Sequence, residues 1–224
     1  MRVAIAGAGL VGRGLIRRLV AARHDVVVID ADREACEQVY SQLGATTIHG
    51  LATSISTLEE AELDRADCAA ALMRRDSDNL CFTVLAKHMG VPRVIVRMRD
   101  PRYEQAYRLA GATRVLNIVD LYLNQFTWEI EEPEMQEVAA FGEGRASIVF
   151  VRVPADSQAA GRTVADIARE ADFPEDCIIA GIFRPQAARF IIPRGHVTVE
   201  AGDRVYLAAG TEDIRKAARY LGVR

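Results

Sequence analysis

Six residues near the start carry the most specific chemistry in the chain. Gly7-Ala8-Gly9-Leu10-Val11-Gly12 follows the apolar run Val3-Ala4-Ile5-Ala6 and leads into a helical pattern. A Gly-x-Gly-x-x-Gly turn between a strand and a helix is a phosphate cradle, because backbone N–H groups and the positive end of the helix dipole face one point. Gly9 lets the backbone approach phosphates without an intervening Cβ, and Gly12 lets the helix close on its strand. A second apolar run, Val26 to Ile29, ends in Asp30, eighteen positions after Gly12. A carboxylate there accepts hydrogen bonds from the two hydroxyls of an adenosine ribose and disfavours a 2′-phosphate, hence NADP. Together they predict a dinucleotide or adenine-nucleotide site.

The remaining reactive residues do not assemble into a catalytic set. The two lysines, Lys87 and Lys216, are preceded at four positions by Thr83 and Glu212, so neither makes the Tyr-x-x-x-Lys pair of short-chain nicotinamide enzymes. Histidines stand apart at 24, 49, 88 and 196, and Cys36, Cys68, Cys81 and Cys177 lack the close spacing of a metal site. The cysteines are expected to be reduced core thiols of a cytosolic protein. A net charge of −3 with pI near 5.9 argues against a nucleic-acid coat. No helix-turn-helix segment suggests a DNA-reading sensor. The first strand begins at once, so a signal peptide is not expected, and no apolar run approaches the roughly 18 residues of a membrane helix. A soluble, cytoplasmic chain is the expectation.

The elements that must position the glycine turn follow from alternating strand and helix patterns across residues 1–118. Helices are expected over 10–22, 34–43 (capped by Asp32, closed by Gly44), 58–63 (with a Ser56–Glu59 capping box), 76–88 and 101–110. Strands are expected over 46–49, 68–73, 94–97 and 113–116. Such alternation predicts a Rossmann-like, doubly wound parallel sheet with helices on both faces, an α/β fold. Residues 119–144 read as an amphipathic crossover helix carrying Leu121, Phe126 and Trp128, then an acidic, Pro-broken linker, Ile130 to Glu134. The helix suits a neighbouring subunit or its own core. Residues 145–224 form a smaller α+β lobe, with strands over 148–153, 178–183, 190–192 and 205–209 and helices over 163–171 and 211–221, the last capped by Thr211.

This ordered set of segments resembles the regulator of potassium conductance (RCK) proteins of the Trk/Ktr type, and the resemblance covers nearly the whole chain. It is carried by AIAGAGLVG, the acid in VVVIDAD, GLAT, RRDSDN and VIVRMRDP, then by AGRTVADI and PRGHVTVEAGDRVYLAAGTEDI in the second lobe. The resemblance implies a cytosolic gating subunit rather than an enzyme. It implies binding of NAD(H) or ATP/ADP, assembly as a homodimer and as an octameric ring, and a membrane potassium channel or transporter as partner.

By position, the resemblance assigns Gly7, Ala8, Gly9, Leu10, Val11 and Gly12 to the phosphates, with Arg13 adding a charge-assisted bond. Asp30 takes the adenosine ribose, with Asp32 and Arg33 at its rim. Ala52, Thr53, Met73, Arg74 and Asn79 line the adenine side and cleft floor, and Arg97 meets phosphate, a neighbouring subunit or a salt bridge. Leu51 replaces the acid usual in the family, Asn117-Ile118-Val119 lacks its usual proline, and His196 stands where a small or acidic residue is usual. Some relatives bind cyclic di-AMP in the second lobe, where Ile179, Arg184 and Pro193 are the nearest matches. The alternative to a regulatory subunit is a small NAD-dependent dehydrogenase using the same glycines and Asp30.

Overall fold

The apolar runs of the first half become strands whose successive residues feed two different cores. In the computed structural model, which describes residues 1–131, 134–141 and 145–223, the first unit, Met1–Leu121, contains β1 (Arg2–Ala6), α1 (Leu10–Ala21), β2 (Asp25–Asp30), α2 (Arg33–Leu43), β3 (Thr46–His49), α3 (Ile55–Glu60), β4 (Cys68–Ala71), α4 (Asp76–His88), β5 (Arg93–Met98), α5 (Glu104–Leu109) and β6 (Arg114–Asn117). Ala4 and Ala6 of β1, Val27 and Ile29 of β2 and Ala69 and Ala71 of β4 face one core with Phe82, Val94 and Tyr107. Val3, Ile5, Val26, Val28 and Ala70 face the other with Ile16 and Val39. Burial on both faces is why these strands read as continuous apolar runs.

The six strands are parallel in the order β3-β2-β1-β4-β5-β6. Chain order reverses between β1 and β4. In such a sheet the crevice at the carboxyl ends of these two strands is where ligands bind.

Local signals hold in several places and fail in others for visible reasons. Asp32 caps α2, its carboxylate accepting from Glu34 N at 2.9 Å and Ala35 N at 3.3 Å. Gly44 ends α2 with φ +69°. The Ser56–Glu59 capping box does not form: α3 starts after Ser54, whose hydroxyl lies 2.9 Å from that of Ser56. The strand expected to reach residue 73 stops at Ala71, since both main-chain polar groups of Met73 turn to the Asn79 side chain. The 101–110 helix divides into a 3-10 turn, Pro101–Tyr103, and α5.

The helix α6 (Ile118–Glu131) runs from the first unit into the second, Tyr122–Arg224. Ile130 and Glu131, expected in the linker, belong to it, while Glu132 and Pro133 lie outside the described residues. The segment read as linker also contains a strand, β7 (Met135–Phe141), paired antiparallel with β8 (Ala146–Arg152). With α7 (Val164–Ile167), β9 (Ile178–Arg184), β10 (Arg189–Ile191), β11 (Arg204–Ala209) and α8 (Thr211–Tyr220), these make a five-stranded antiparallel sheet in the order β10-β9-β11-β8-β7. Val149, Val151, Val205 and Leu207 face a core closed by Ile214, Ala217 and Leu221.

The 163–171 helix is a single turn. After it Phe173 packs edge-on against Tyr220 with ring centres 5.7 Å apart. Gly210, not Thr211, occupies the cap position of α8. Cys36, Cys68 and Cys177 are buried as expected of core thiols, but Cys81 on α4 is exposed.

Candidate nucleotide-binding site

Packing fixes the glycine turn before any ligand is considered. Gly7 N donates to Ile29 O at 2.9 Å, and its φ of +109° is one that side-chain-bearing residues rarely adopt. A Cβ on Gly12 would stand 2.1 Å from the Gly7 carbonyl oxygen, so α1 meets the turn more closely than any alanine allows. Around Gly9, in contrast, a Cβ would find nothing within 4 Å. Gly9 is the cap residue of α1 and supplies no side-chain acceptor. The first N–H groups of that helix therefore have no intrahelical partner. Leu10 is 92% exposed and Val11 is also exposed, while Gly12 is buried.

Asp30 joins the turn to the tip of β2. Its carboxylate accepts from Ala8 N at 2.6 Å and from Asp32 N at 2.9 Å, and its carbonyl accepts from Gly50 N at 2.9 Å. A carboxylate has about four lone-pair sites, so two main-chain donors leave acceptor capacity for ribose hydroxyls. Asp32 and Arg33 are exposed beside it. Burial, then the charge of Asp30, pushes the neighbouring Cys36 thiol above its ordinary range.

Arg13 departs from its expected role. Its Nε donates to Ala8 O at 2.8 Å and its Nη1 to Gln38 Oε1, so the guanidinium ties turn, α1 and α2 together and is committed to protein acceptors. Ala52 is buried in the core, Thr53 is half-buried and Leu51 is exposed after β3.

Asn79 likewise serves the backbone rather than the cleft. Buried on α4, it accepts from Met73 N at 2.9 Å and donates to Met73 O and Arg97 O, both at 3.1 Å. These three main-chain bonds fix the ends of β4 and β5 against each other. Arg97 donates from Nη2 to Met73 O at 2.9 Å and makes no salt bridge among the described residues. Its Nε is buried without a partner. Burial, reinforced by Arg99, depresses its pKa from the ordinary arginine value.

The two halves meet at the strand ends, where a Cβ on Gly7 would lie 3.0 Å from the Leu72 carbonyl carbon and 3.1 Å from Met73 N. Arg74, next in sequence, is exposed at the rim of a cleft of about 460 Å³. Asp76 lines that cleft and is held by the buried Tyr107, two residues the sequence reading did not single out. The Asp76 carboxylate accepts from the N–H groups of Arg99 and Asp100, each at 3.1 Å, and from the Tyr107 hydroxyl at 2.9 Å. Burial and the nearby Asp76 carboxylate hold the Tyr107 phenol far above the usual tyrosine range, so it stays a donor. Helix-opening position was the available signal for Asp76; none pointed to Tyr107.

Elsewhere the residues considered for other chemistry are occupied. Lys87 Nζ donates to Val91 O and Pro92 O, and Lys216 pairs with Asp213. In the second lobe Ile179 is buried in the core. Arg184 there binds Asp203 with two bonds of 3.0 Å and also pairs with Glu200. Pro193, the third residue matched to a cyclic di-AMP contact, is half-buried. No group of three or more metal-ligating side chains occurs among the described residues. Among them no helix is long and apolar enough to cross a membrane.

The TrkA-N domain profile matches residues 3–118 and the TrkA-C domain profile residues 148–222. The Trk system potassium uptake protein TrkA homolog of Archaeoglobus fulgidus is 34% identical over 220 residues, covering 96% of this chain and 48% of its own length. The Trk system potassium uptake protein TrkA of Mycobacterium tuberculosis is 30% identical over 228 residues, covering 99% of this chain and 98% of its own. The fold is also that of the GsuK channel bound to NAD, with a TM-score of 0.67 at 19% identity over 99% of this chain and 39% of the channel chain. The chain thus spans about half of the archaeal relative and less than half of the channel chain. The relatives are named as potassium uptake proteins and not as enzymes. With both domain profiles matched in order and full-length similarity on either side of the site, the chain belongs to the TrkA family, a TrkA-N domain followed by a TrkA-C domain.

Proposed function

We infer that this chain is a nucleotide-sensing regulatory subunit that gates a membrane potassium channel or transporter from the cytoplasmic side. The observation that carries the reading is the open cradle at the sheet's switch point: free first-turn donors at Gly9 to Gly12, empty space over Gly9, and the Asp30 carboxylate at the next strand tip. NAD(H) or ATP/ADP fits it, with phosphates on the turn and the adenosine ribose on Asp30. The names of the relatives, and the NAD-bound state of a channel sharing the fold, support the same ligand class and partner. Gating requires only that bound and empty states favour different subunit geometries through differential contacts. A homodimer assembled into an octameric ring would pass that difference to the pore.

Calorimetric titration with ATP, ADP, NAD and NADH tests the reading directly. At least one is expected to bind, and Gly9→Asp, which puts a carboxylate where phosphate sits, is expected to abolish binding while the second lobe stays folded. Absence of binding by all four would refute the reading. Native mass spectrometry reports subunit number and retained nucleotide together.

A further inference from the structure

A cleft of about 690 Å³ opens in the second unit where β8 ends, and no residue of the nucleotide cradle belongs to it. Pro154 and Ala155 after β8 and Ala201 and Gly202 in the turn before β11 wall it, and its two charged side chains are Arg152 and Glu134. That volume lies inside the range of about 300–1,000 Å³ usual for sites that hold small molecules. The walls are fixed from behind. Val153 N donates to Asp203 O at 2.9 Å, and Val153 O accepts from Gly202 N at 2.8 Å. The Asp203 carboxylate is buried, accepts from Glu200 N at 2.9 Å and is neutralised by two bonds of 3.0 Å from Arg184, so it adds no unbalanced charge to the cleft. After β8, Ser157 N donates to Pro154 O at 3.2 Å and the Ser157 hydroxyl accepts from Ala159 N at 3.1 Å. A shape set in advance keeps the ordering cost of binding low.

Arg152 lacks a counter-ion in this arrangement. Val151 pairs with Met135, which puts Arg152 and Glu134 one step beyond that pair, at the adjoining ends of β8 and β7. Among the described residues Arg152 nevertheless has no carboxylate within salt-bridge distance, Glu134 included. On its other side Arg152 stands opposite Arg204 of β11, on the sheet face turned away from the core that Val151 and Val153 enter. Like charges directly opposite each other destabilise a sheet. The Arg204 guanidinium is held over the Phe150 and Phe183 rings, 5.4 and 5.7 Å from their centres. A simple anion is drawn to Arg152 but repelled by Glu134, and a simple cation meets the reverse. A molecule that carries both charges a short distance apart satisfies both side chains.

We propose that this cleft binds a free α-amino acid with an apolar side chain, its carboxylate on Arg152, its ammonium on Glu134 and its side chain against Pro154, Ala155 and Ala201. The planar guanidinium suits a carboxylate, and Arg204 on the next strand favours negative charge at the same end. Glu134 accepts from an ammonium without giving up other partners, because a carboxylate has about four lone-pair sites. The second unit thereby has a ligand of its own, apart from the nucleotide of the first.

The test uses the full chain without nucleotide, so its outcome is independent of the nucleotide reading, and three matched probes: leucine, isocaproate, which lacks the ammonium, and isoamylamine, which lacks the carboxylate. In saturation-transfer NMR and calorimetry leucine is expected to bind with a Kd at or below about 1 mM, and each truncated probe at least about tenfold more weakly, the scale of one lost charge-assisted hydrogen bond. Glycine, without the apolar part, should also bind about tenfold more weakly than leucine. Arg152 and Glu134 are exposed, so substitution there spares the core. R152Q should weaken leucine about tenfold and leave isoamylamine unchanged, and E134Q should weaken leucine to the same extent and leave isocaproate unchanged. A contact with one group of the ligand produces that pairing of losses, and damage to the fold does not. Absence of saturable leucine binding, equal affinity for leucine and either truncated probe, or equal loss of all three probes in variants that melt like the unaltered chain would overturn the site.

Discussion

Two nearby glycines separate what the fold needs from what a ligand needs. Gly12→Ala adds one methyl group 2.1 Å from the Gly7 carbonyl oxygen, about 1.3 Å short of ordinary contact, and the atom it meets is backbone held by β1 and β2. Neither partner can swing aside, so α1 must lift or the turn must distort, at about 2–3 kcal/mol, the upper part of the overpacking range. For a unit near 120 residues that corresponds to a fall in Tm of roughly 8–12 °C. Gly9→Ala adds the same methyl group where nothing lies within 4 Å, in an extended backbone conformation open to any residue. Its Tm should move by no more than about 4 °C, because the change at the cap position is worth only a few tenths of a kcal/mol to about 1 kcal/mol. The methyl nevertheless fills the space over the phosphate cradle. Nucleotide affinity should fall at least about tenfold, a loss of 1.4 kcal/mol or more. Differential scanning calorimetry and nucleotide titration on the two variants provide the readout. A Gly9→Ala variant that binds nucleotide as tightly as the unaltered chain would refute the cradle, and an unchanged Tm in Gly12→Ala would refute the close approach of α1.

Other variants probe the supports of the cradle. Asp30→Ala removes the acceptor of Ala8 N and is expected to cost about 1–3 kcal/mol in chemical denaturation. Asp30→Asn keeps one acceptor, so it should recover most of that stability but not the affinity for the ribose hydroxyls; full affinity in Asp30→Asn would argue against a ribose on this carboxylate. Asn79→Ala strands Met73 N in a buried site and should lower stability by about 2–3 kcal/mol, an effect that a residue serving only as a ligand contact would not produce. Thiol titration at neutral pH should find Cys81 alone fast, with Cys36, Cys68 and Cys177 reacting only after unfolding. Burial pushes the Cys177 thiol from 9.0 up to about 12, so the folded state keeps this proton longer than the unfolded chain. Its contribution to stability is complete below pH 9 and is lost as pH rises toward about 12. Replacing Cys177 with alanine should flatten that alkaline slope, which equilibrium denaturation between about pH 8 and 11 measures.

What the sequence made legible is chemistry confined to a few neighbouring residues. The Asp32 cap and the Gly44 stop each depend on contacts within about one helical turn, and the glycine turn shows in the spacing of its own six residues. The parallel sheet was legible because burial on both faces leaves uninterrupted apolar runs. The strand β7 was not. Its pairing with β8 shifts register between Glu137 and Ala139, and that irregularity breaks the alternation that would have marked it. The Ser56–Glu59 motif had the right spacing, yet Ser54 starts the helix earlier in the chain and spends its hydroxyl on Ser56. Spacing identifies a motif only when no nearer residue competes for the same end.

The site shows the same division between local and long-range causes, with consequences for how its charges are assigned. Arg13 and Asn79 have the residue types and positions of ligand contacts. Three-dimensional closure gives each a nearer protein partner: Ala8 O and Gln38 for one, Met73 and the Arg97 carbonyl for the other. Arg97 and Arg99 are separated from Arg74 by more than twenty residues of chain, so their convergence follows from the β4–β5 pairing and not from any motif. A polar residue near the cradle is thus a ligand candidate to the extent that the fold leaves it unpaired. By that criterion Asp30 retains acceptor capacity, and Arg13 and Asn79 retain little. The open turn at Gly9 and the spare lone pairs of Asp30 are the parts of this region that the fold itself leaves unpaired.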